Sequence, residues 1–184
     1  MNFDIRSAII GAVGIVVLFF VVVGVWAALG VYDVGADAPH WGVTRAFIGY
    51  VIDRSTDAHG DDVVVPSNLS DPKRIADGAS DYDAMCTGCH LAPGMAENEM
   101  RPGLYPHPPR LAMFQGEAGE QFWIIKHGIK MSAMPAWGKT HSDEEIWNMV
   151  AFLQRLPKLS PAQYQALVKS GGGHHDQMNM DMGH

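Results

Sequence analysis

The chain has 184 residues, of which 47% are hydrophobic, and a formal net charge of −7 at pH 7. This length suits one compact domain with a further segment attached. The acidic balance argues against a nucleic-acid-binding protein and favours an acidic surface that could meet a basic partner.

The N-terminal segment is the longest apolar stretch, with no charged residue between Ala8 and Val31. A helix over this stretch would be about 36 Å long at ~1.5 Å per residue, enough to cross a ~30 Å hydrocarbon core. A cleaved signal peptide is the alternative, with Ala28-Leu29-Gly30 as the cleavage site, but its apolar region normally has only about 7–15 residues. We therefore predict an uncleaved membrane anchor over residues 1–31.

Residues 32–71 are predicted to form an interfacial helix and a linker. Helical winding of Trp41–Ile52 gathers apolar side chains on one face: Phe47, Ile48, Val51 and Ile52. Two interpretations stay open, an amphipathic helix that lies on the bilayer or on a membrane partner, and a helix that packs on the following domain. The polar stretch from Asp53 to Asp71 favours a linker rather than a core element.

The most informative motif is Cys86-Thr87-Gly88-Cys89-His90. C-x-x-C-H is the attachment site of a covalent c-type haem, because two thiols at this spacing reach two vinyl groups and the histidine then faces the iron. A thioredoxin-like pair would need a βαβ context, and a zinc site would need two more ligands. Since Cys86 and Cys89 are the only cysteines in the chain, the motif predicts one haem c, with His90 as an iron ligand.

The segments around the motif predict helices separated by a long loop. Leu91–Leu111 contains five prolines and can therefore be neither helix nor central strand, so we expect a loop that covers the haem. Asp71-Pro72 is a helix start signal, and Ser142 with Glu145 forms a capping box. The predicted helices are Lys73–Met85, Glu117–Gly128, one from Ser142 to before Pro157, and one from Ser160 through Val168.

Residues 72–157 resemble a class I c-type cytochrome, in which a helix leads into C-x-x-C-H and a Pro/Gly-rich loop, a middle helix, a Met-Pro segment and a capped helix follow. The resemblance implies an all-α haem domain, placed at residues 72–170, that transfers electrons and is not an enzyme in its own right. It also implies that Met134, before Pro135, is the sixth iron ligand, with Met131 as the alternative. Two protein ligands leave no iron position for a substrate.

The resemblance extends to the surroundings of the haem. In this family a proline carbonyl accepts a hydrogen bond from the second nitrogen of the proximal histidine, and Pro93 and Pro102 are both candidates. Tyr105 and Trp137 are candidates for bordering the haem propionates, with ordinary aromatic packing as the alternative. Three further histidines are expected at the surface or in hydrogen bonds: His107, His127 and His141.

Residues 171–184 depart from the family pattern. Three glycines form a flexible spacer, and the methionines and histidines that follow are ligands suited to copper. A solvated tail that binds no metal is the alternative. The possible copper ligands are His174, His175, Met178, Met180, Met182 and His184.

Together these features predict a single-pass protein of the bacterial cytoplasmic membrane with its haem domain in the periplasm, where c-type haem is attached. The leading hypothesis is a tethered electron carrier of a respiratory chain. Its partners would be a terminal oxidase, a quinol-oxidising complex, or a periplasmic dehydrogenase or reductase. The alternatives are a permanent electron-transfer subunit of a membrane oxidoreductase or oxidase complex, a copper-handling haem protein, and a haem enzyme or gas sensor with an open iron.

Overall fold

A computed structural model describes residues 4–171. Over this range the secondary structure consists of helices and irregular segments without a strand, which confirms the all-α fold class. The chain divides into two compact units, one ending at His40 and the other beginning at Trp41.

The first unit is built on one long helix, α1 (Ile5–Ala28). The Asp4 side chain caps it by accepting a hydrogen bond of 3.1 Å from the Arg6 backbone N–H. None of its residues is buried, and its most apolar window has a mean hydropathy of 3.0. A helix that is apolar on all sides and long enough for a bilayer has the composition of a membrane span. Within residues 4–171, α1 alone has this length and composition.

The core of the second unit lies between α3 (Pro72–Met85), α6 (Asp143–Leu153) and α7 (Pro161–Ser170). Helices α3 and α6 touch along their backbones, because a Cβ atom on Gly78 would overlap the carbonyl oxygen of Asn148. This close approach requires glycine. The largest fully buried side chains surround the crossing: Tyr82, Tyr164, Phe152, Ile146, Met149, Leu156 and Val150.

The helix starts follow the capping signals in the sequence. The Asp71 side chain accepts a hydrogen bond of 2.8 Å from the Lys73 backbone N–H, directly before Pro72. Ser142 and Glu145 form the predicted capping box of α6. Each cap satisfies backbone N–H groups that the first helical turn leaves unpaired, so these signals position the helix starts.

Helix α2 (Gly42–Gly60) is longer than expected and packs against α5 (Ala118–His127). The prediction of a linker from Asp53 onward is therefore wrong for residues 53–60. On the packed side of this segment the small residues Thr56 and Gly60 are buried, and the His59 ring stacks on Trp123 of α5 at 4.9 Å. A Cβ atom on Gly119 would overlap the Gly60 carbonyl oxygen. Close contact between small residues leaves no hydrophobic periodicity, so the pattern missed the helix end.

The segment between His90 and α5 is irregular, as the prolines predicted. It contains two short 3-10 turns, Arg101–Gly103 and Leu111–Met113. Further 3-10 turns occur at Trp137–Lys139 and Leu156–Lys158. The irregular segment carries several polar contacts to the C-x-x-C-H motif, described next.

Candidate functional site

The C-x-x-C-H motif forms a compact turn directly after α3. Residues Thr87–His90 make one short helix, α4, and the His90 backbone N–H donates to the Cys86 carbonyl at 2.8 Å. Both thiols are free and partly buried. Burial, together with Asp81 and Cys89, raises the pKa of the Cys86 thiol to about 12. The turn thus brings two free thiols and an imidazole together within five residues.

The His90 ring is held in one tautomer. Its Nδ1 lies 2.8 Å from the carbonyl oxygen of Pro109. Because a carbonyl can only accept, Nδ1 carries the proton and donates it, and the Nε2 lone pair is free. Burial lowers the pKa of His90, and the nearby Arg101 charge lowers it further against the opposing effect of the Pro109 hydrogen bond. A neutral imidazole with a free Nε2 is the form that binds a metal.

The carbonyl that orients His90 therefore comes from Pro109, and the prediction of Pro93 or Pro102 is wrong. Pro93 lies only three residues after His90, and Pro102 is exposed. The loop first runs away from the motif and then returns, so that residue 109 faces His90. Sequence distance from the histidine did not indicate this return.

Arg101 is a residue of this site that the sequence did not reveal. Its side chain is only 3% exposed, although it lies in a Pro/Gly-rich loop. The guanidinium donates to the Cys89 carbonyl at 2.9 Å, to the Glu97 carboxylate at 2.5 Å and to the Pro108 carbonyl. A single arginine without helical or strand periodicity carries no signal of burial, so this network could only be found in three dimensions.

Two more side chains fasten the loop to the motif. The Asn98 amide donates to the Gly88 carbonyl at 2.7 Å, and its oxygen accepts from the Arg101 backbone N–H at 3.0 Å. The Tyr82 hydroxyl donates to the Leu91 carbonyl at 2.7 Å. Leu91 has a φ of 61°, in the left-handed region that non-glycine residues rarely adopt. The chain direction directly after His90 is thus fixed by a core tyrosine.

A cavity of about 300 Å³ lies beside the His90 ring. Its lining is mostly apolar and comes from the motif and the loop: His90, residues 91–96, Arg110, Ala112 and Met113. An apolar cavity with one imidazole in its wall suits a flat apolar ligand better than a polar substrate.

Met134 and Met131 lie in the same turn but in different environments. The Met134 side chain packs against the core cluster, whereas that of Met131 is 95% exposed. The Met134 backbone is held on both sides, because its N–H donates to Ser132 Oγ at 3.1 Å and its carbonyl accepts from Ile129 at 3.2 Å. Gly128, with a φ of 65°, lies close beneath the turn. Of these two thioethers, only that of Met134 is held against the domain.

The remaining predicted residues occupy varied places. Trp137 is partly buried against the core, with its ring edge-to-face on His141 at 5.3 Å, and Tyr105 is partly buried in the loop. The possible copper ligands at positions 174–184 lie outside the described residues. In residues 4–171, no group of three or more His, Cys, Asp or Glu side chains is arranged to hold a metal ion.

An all-helical domain with a C-x-x-C-H turn and an oriented histidine has the elements that the sequence led us to expect of a c-type cytochrome domain. In agreement, a protein-family model described as cytochrome c oxidase, cbb3-type, subunit III matches residues 73–153. Neither the curated proteins nor the solved structures gave a match to the chain. The matched range contains the C-x-x-C-H motif and Met134 and ends with α6. The chain therefore contains a c-type cytochrome domain, an electron-transfer domain of the kind that carries covalent haem c.

Proposed function

We propose that this protein is a membrane-anchored, single-haem electron-transfer protein with His90/Met134 ligation. The observation that carries the proposal is the 2.8 Å hydrogen bond from His90 to the Pro109 carbonyl. It leaves Nε2 free in a motif whose two cysteines are also free. Imidazole, thioether and paired thiols are together the donor set of a His/Met haem c.

Each donor has a distinct role in this proposal. Cys86 and Cys89 would form the two thioether links to the haem, and His90 and Met134 would hold the iron. When bound, the haem supplies reversible one-electron chemistry between Fe(III) and Fe(II). A thioether ligand favours the reduced state compared with a second histidine.

The surrounding chain holds the two proposed iron ligands in place. The turn at Gly128–Met134 fixes one thioether, and the Pro109 carbonyl fixes the imidazole. If His90 and Met134 both held the iron, no iron position would remain for a substrate, and the haem would supply one-electron transfer only. This arrangement supports electron transfer over catalysis or gas sensing.

Optical spectroscopy of the purified protein tests the ligand assignment. We expect sharp c-type bands on reduction, a far-red Met–Fe(III) band on oxidation, and no change when carbon monoxide is added to the reduced protein. Met134→Ala should lose the far-red band and bind carbon monoxide, whereas the matched Met131→Ala should keep the wild-type spectra. Carbon monoxide binding by the wild-type protein, or the reverse behaviour of the two variants, would contradict the proposal.

The membrane location rests on α1 and α2. We assign α1 as an uncleaved anchor and place the haem domain in the bacterial periplasm, with the domain boundaries given above. On α2, Phe47 is 68% exposed, and buried Thr56 lies nine positions later, a rotation of about 180° on a helix. The side of α2 that carries Phe47 and exposed Val51 therefore points away from the haem domain, whereas half-buried Ile52 lies nearer the Thr56 side. The exposed side supports contact with the membrane surface or a membrane partner.

Protease treatment of spheroplasts tests this topology. Cleavage within residues 29–41 should release a haem-containing fragment from intact spheroplasts. Mass spectrometry of the untreated membrane-bound protein should show that its N-terminal residues are still present. A haem fragment that stays protected until the spheroplasts are lysed would contradict the periplasmic location.

A permanent oxidase subunit is the second candidate, and the family match favours it. The matching family is described as a subunit of a cbb3-type cytochrome c oxidase. The exposed apolar face of α2 would then contact another subunit. Purification in mild detergent separates the candidates, because a subunit should elute in a stoichiometric complex, whereas a carrier to a terminal oxidase, quinol-oxidising complex or dehydrogenase should elute alone.

Copper binding by the tail is a separate proposal supported by composition. Isothermal titration of the full-length protein with Cu(I) should show binding at micromolar concentration that is lost when the chain is truncated after Gly171. Absence of binding by the full-length protein would end the idea.

A further inference from the structure

One charged side chain, Arg101, joins the two ends of the loop that returns to His90. Arg101 donates to the Cys89 carbonyl at 2.9 Å and also to the Pro108 carbonyl. Cys89 immediately precedes His90, and Pro108 immediately precedes Pro109. The guanidinium thus bridges Cys89 and Pro108. It thereby sets the distance between the backbone segments that carry the His90 donor and the Pro109 acceptor.

The network around Arg101 satisfies its charge within the loop. The Glu97 carboxylate accepts from Arg101 at 2.5 Å and from Arg110 at 2.7 Å. These two arginines, Arg110 foremost, hold the pKa of Glu97 below its ordinary value. The planar guanidinium can reach two carbonyls and a carboxylate in a fixed geometry, which a lysine ammonium cannot reproduce.

We propose that Arg101 is a positioning residue that tunes the reduction potential by fixing the hydrogen bond from His90 to the Pro109 carbonyl. A strong bond to Nδ1–H makes the imidazole a better electron donor and stabilises Fe(III). Loosening the clamp weakens this bond and raises the potential. The inference rests on the proposed function, because it requires His90 as the iron ligand.

Charge and geometry make opposite contributions, so two variants separate them. Arg101→Lys keeps the positive charge and loses the bridge between the two carbonyls. Arg101→Gln also removes a cation whose charge acts on His90, and that loss by itself would favour Fe(III) and lower the potential. The lysine variant should therefore have a higher potential than both the wild type and the glutamine variant.

The experiment combines redox titration with NMR of the reduced, diamagnetic holoprotein. In Arg101→Lys we expect about a tenfold shift in the redox equilibrium, or about 59 mV for one electron, together with faster solvent exchange of the His90 Nδ1 proton. Arg74→Lys is the matched control, since Arg74 is also a buried arginine, 7% exposed, whose described hydrogen bonds go to Asn148 and Glu144 of α6. Its potential and exchange rate should stay at the wild-type values.

The possible results are distinguishable. An Arg101→Lys protein of reduced stability but unchanged potential and unchanged Nδ1 exchange would overturn the inference. If this variant fails to mature, Asn98→Ala, which releases the Arg101 backbone N–H, should shift both quantities in the same direction by less, and no shift would overturn it. A wild-type protein without a low-spin His/Met spectrum would instead reject the proposed function.

Discussion

The haem domain contains two close helix contacts that differ in their surroundings. At the α3–α6 crossing, Gly78 lies against the backbone at Asn148, and at the α2–α5 contact, Gly60 lies against Gly119. Both contacts require that side chains be absent. The first is enclosed by fully buried aromatic and aliphatic residues, whereas α2 contributes only Thr56 and Gly60 to the buried set.

This difference indicates which contact supports the site. Helix α3 leads directly into the C-x-x-C-H motif, and its Tyr82 holds the chain after His90. Helix α5 carries α2 on its outer side, where Asp57 and Glu120 share a hydrogen bond. We infer that the α3–α6 crossing determines whether the haem site forms, and that the α2–α5 contact determines only how α2 is held.

The largest expected effect is at the α3–α6 crossing. Gly78→Ala places a methyl group against the Asn148 carbonyl, between α3 and α6. The two helices cannot move apart without opening the core, and overpacking of this kind costs about 1–3 kcal/mol or more. Denaturant unfolding should show a large loss of stability and a low yield of haem-loaded protein. Gly49→Ala is the control, because a Cβ there meets nothing within 4 Å, and alanine should stabilise the helix by about 0.5–1 kcal/mol. Equal stability of the two variants would contradict the close crossing.

A smaller and more local effect is expected at the α2–α5 contact. Gly119→Ala places a methyl group on the Gly60 carbonyl and should release α2 while the haem site stays intact. Hydrogen exchange should show faster exchange in residues 53–60, with unchanged optical spectra and unchanged protection in α3. Loss of the haem spectrum in this variant would show that the two contacts are not independent.

The parts of the fold that the sequence predicted are those with local signals. Asp71-Pro72 and the Ser142–Glu145 box specify helix starts by hydrogen bonds within one turn, and C-x-x-C-H contains its chemistry in five residues. Pro109 and Arg101 differ, because their roles depend on a loop that returns to the motif. No local pattern records which carbonyl meets His90, so that half of the site required the structure.

The end of α2 was missed for a related reason. Thr56 and Gly60 are buried because their small size allows close approach to α5, and a hydrophobicity pattern assigns such residues to a linker. Of the apolar residues that the pattern did detect, Phe47, Ile48 and Val51 are exposed, whereas Ile52 is half-buried. Periodicity identified the helix but not which of its faces packs on the domain.

The smallest expected effect is a pH dependence of the α2–α5 contact. Burial, with the charge and hydrogen bond of Asp57 and the nearby Glu117 and Asp61, raises the pKa of Glu120 above its ordinary value of 4.5. The packed state therefore retains a proton that the released state loses, and the contact is strongest below pH 4.5 and weakens as the pH rises through the raised value. The ion pair of Arg54 with Asp57, at 3.2 Å, offsets part of the repulsion between the Asp57 and Glu120 carboxylates.

Hydrogen exchange of residues 53–60 across this pH range, corrected for intrinsic exchange rates, should show greater protection at the acidic end. Glu120→Gln cannot ionise and its amide can still donate to Asp57, so it should be protected at neutral pH and lose the pH dependence. Glu99→Gln, in the loop and outside this contact, should behave as the wild type. If Glu120→Gln retains the full pH dependence, another titratable group controls the α2–α5 contact. The Asp57–Glu120 pair would then lie beside the close approach of Gly60 and Gly119 without changing its stability.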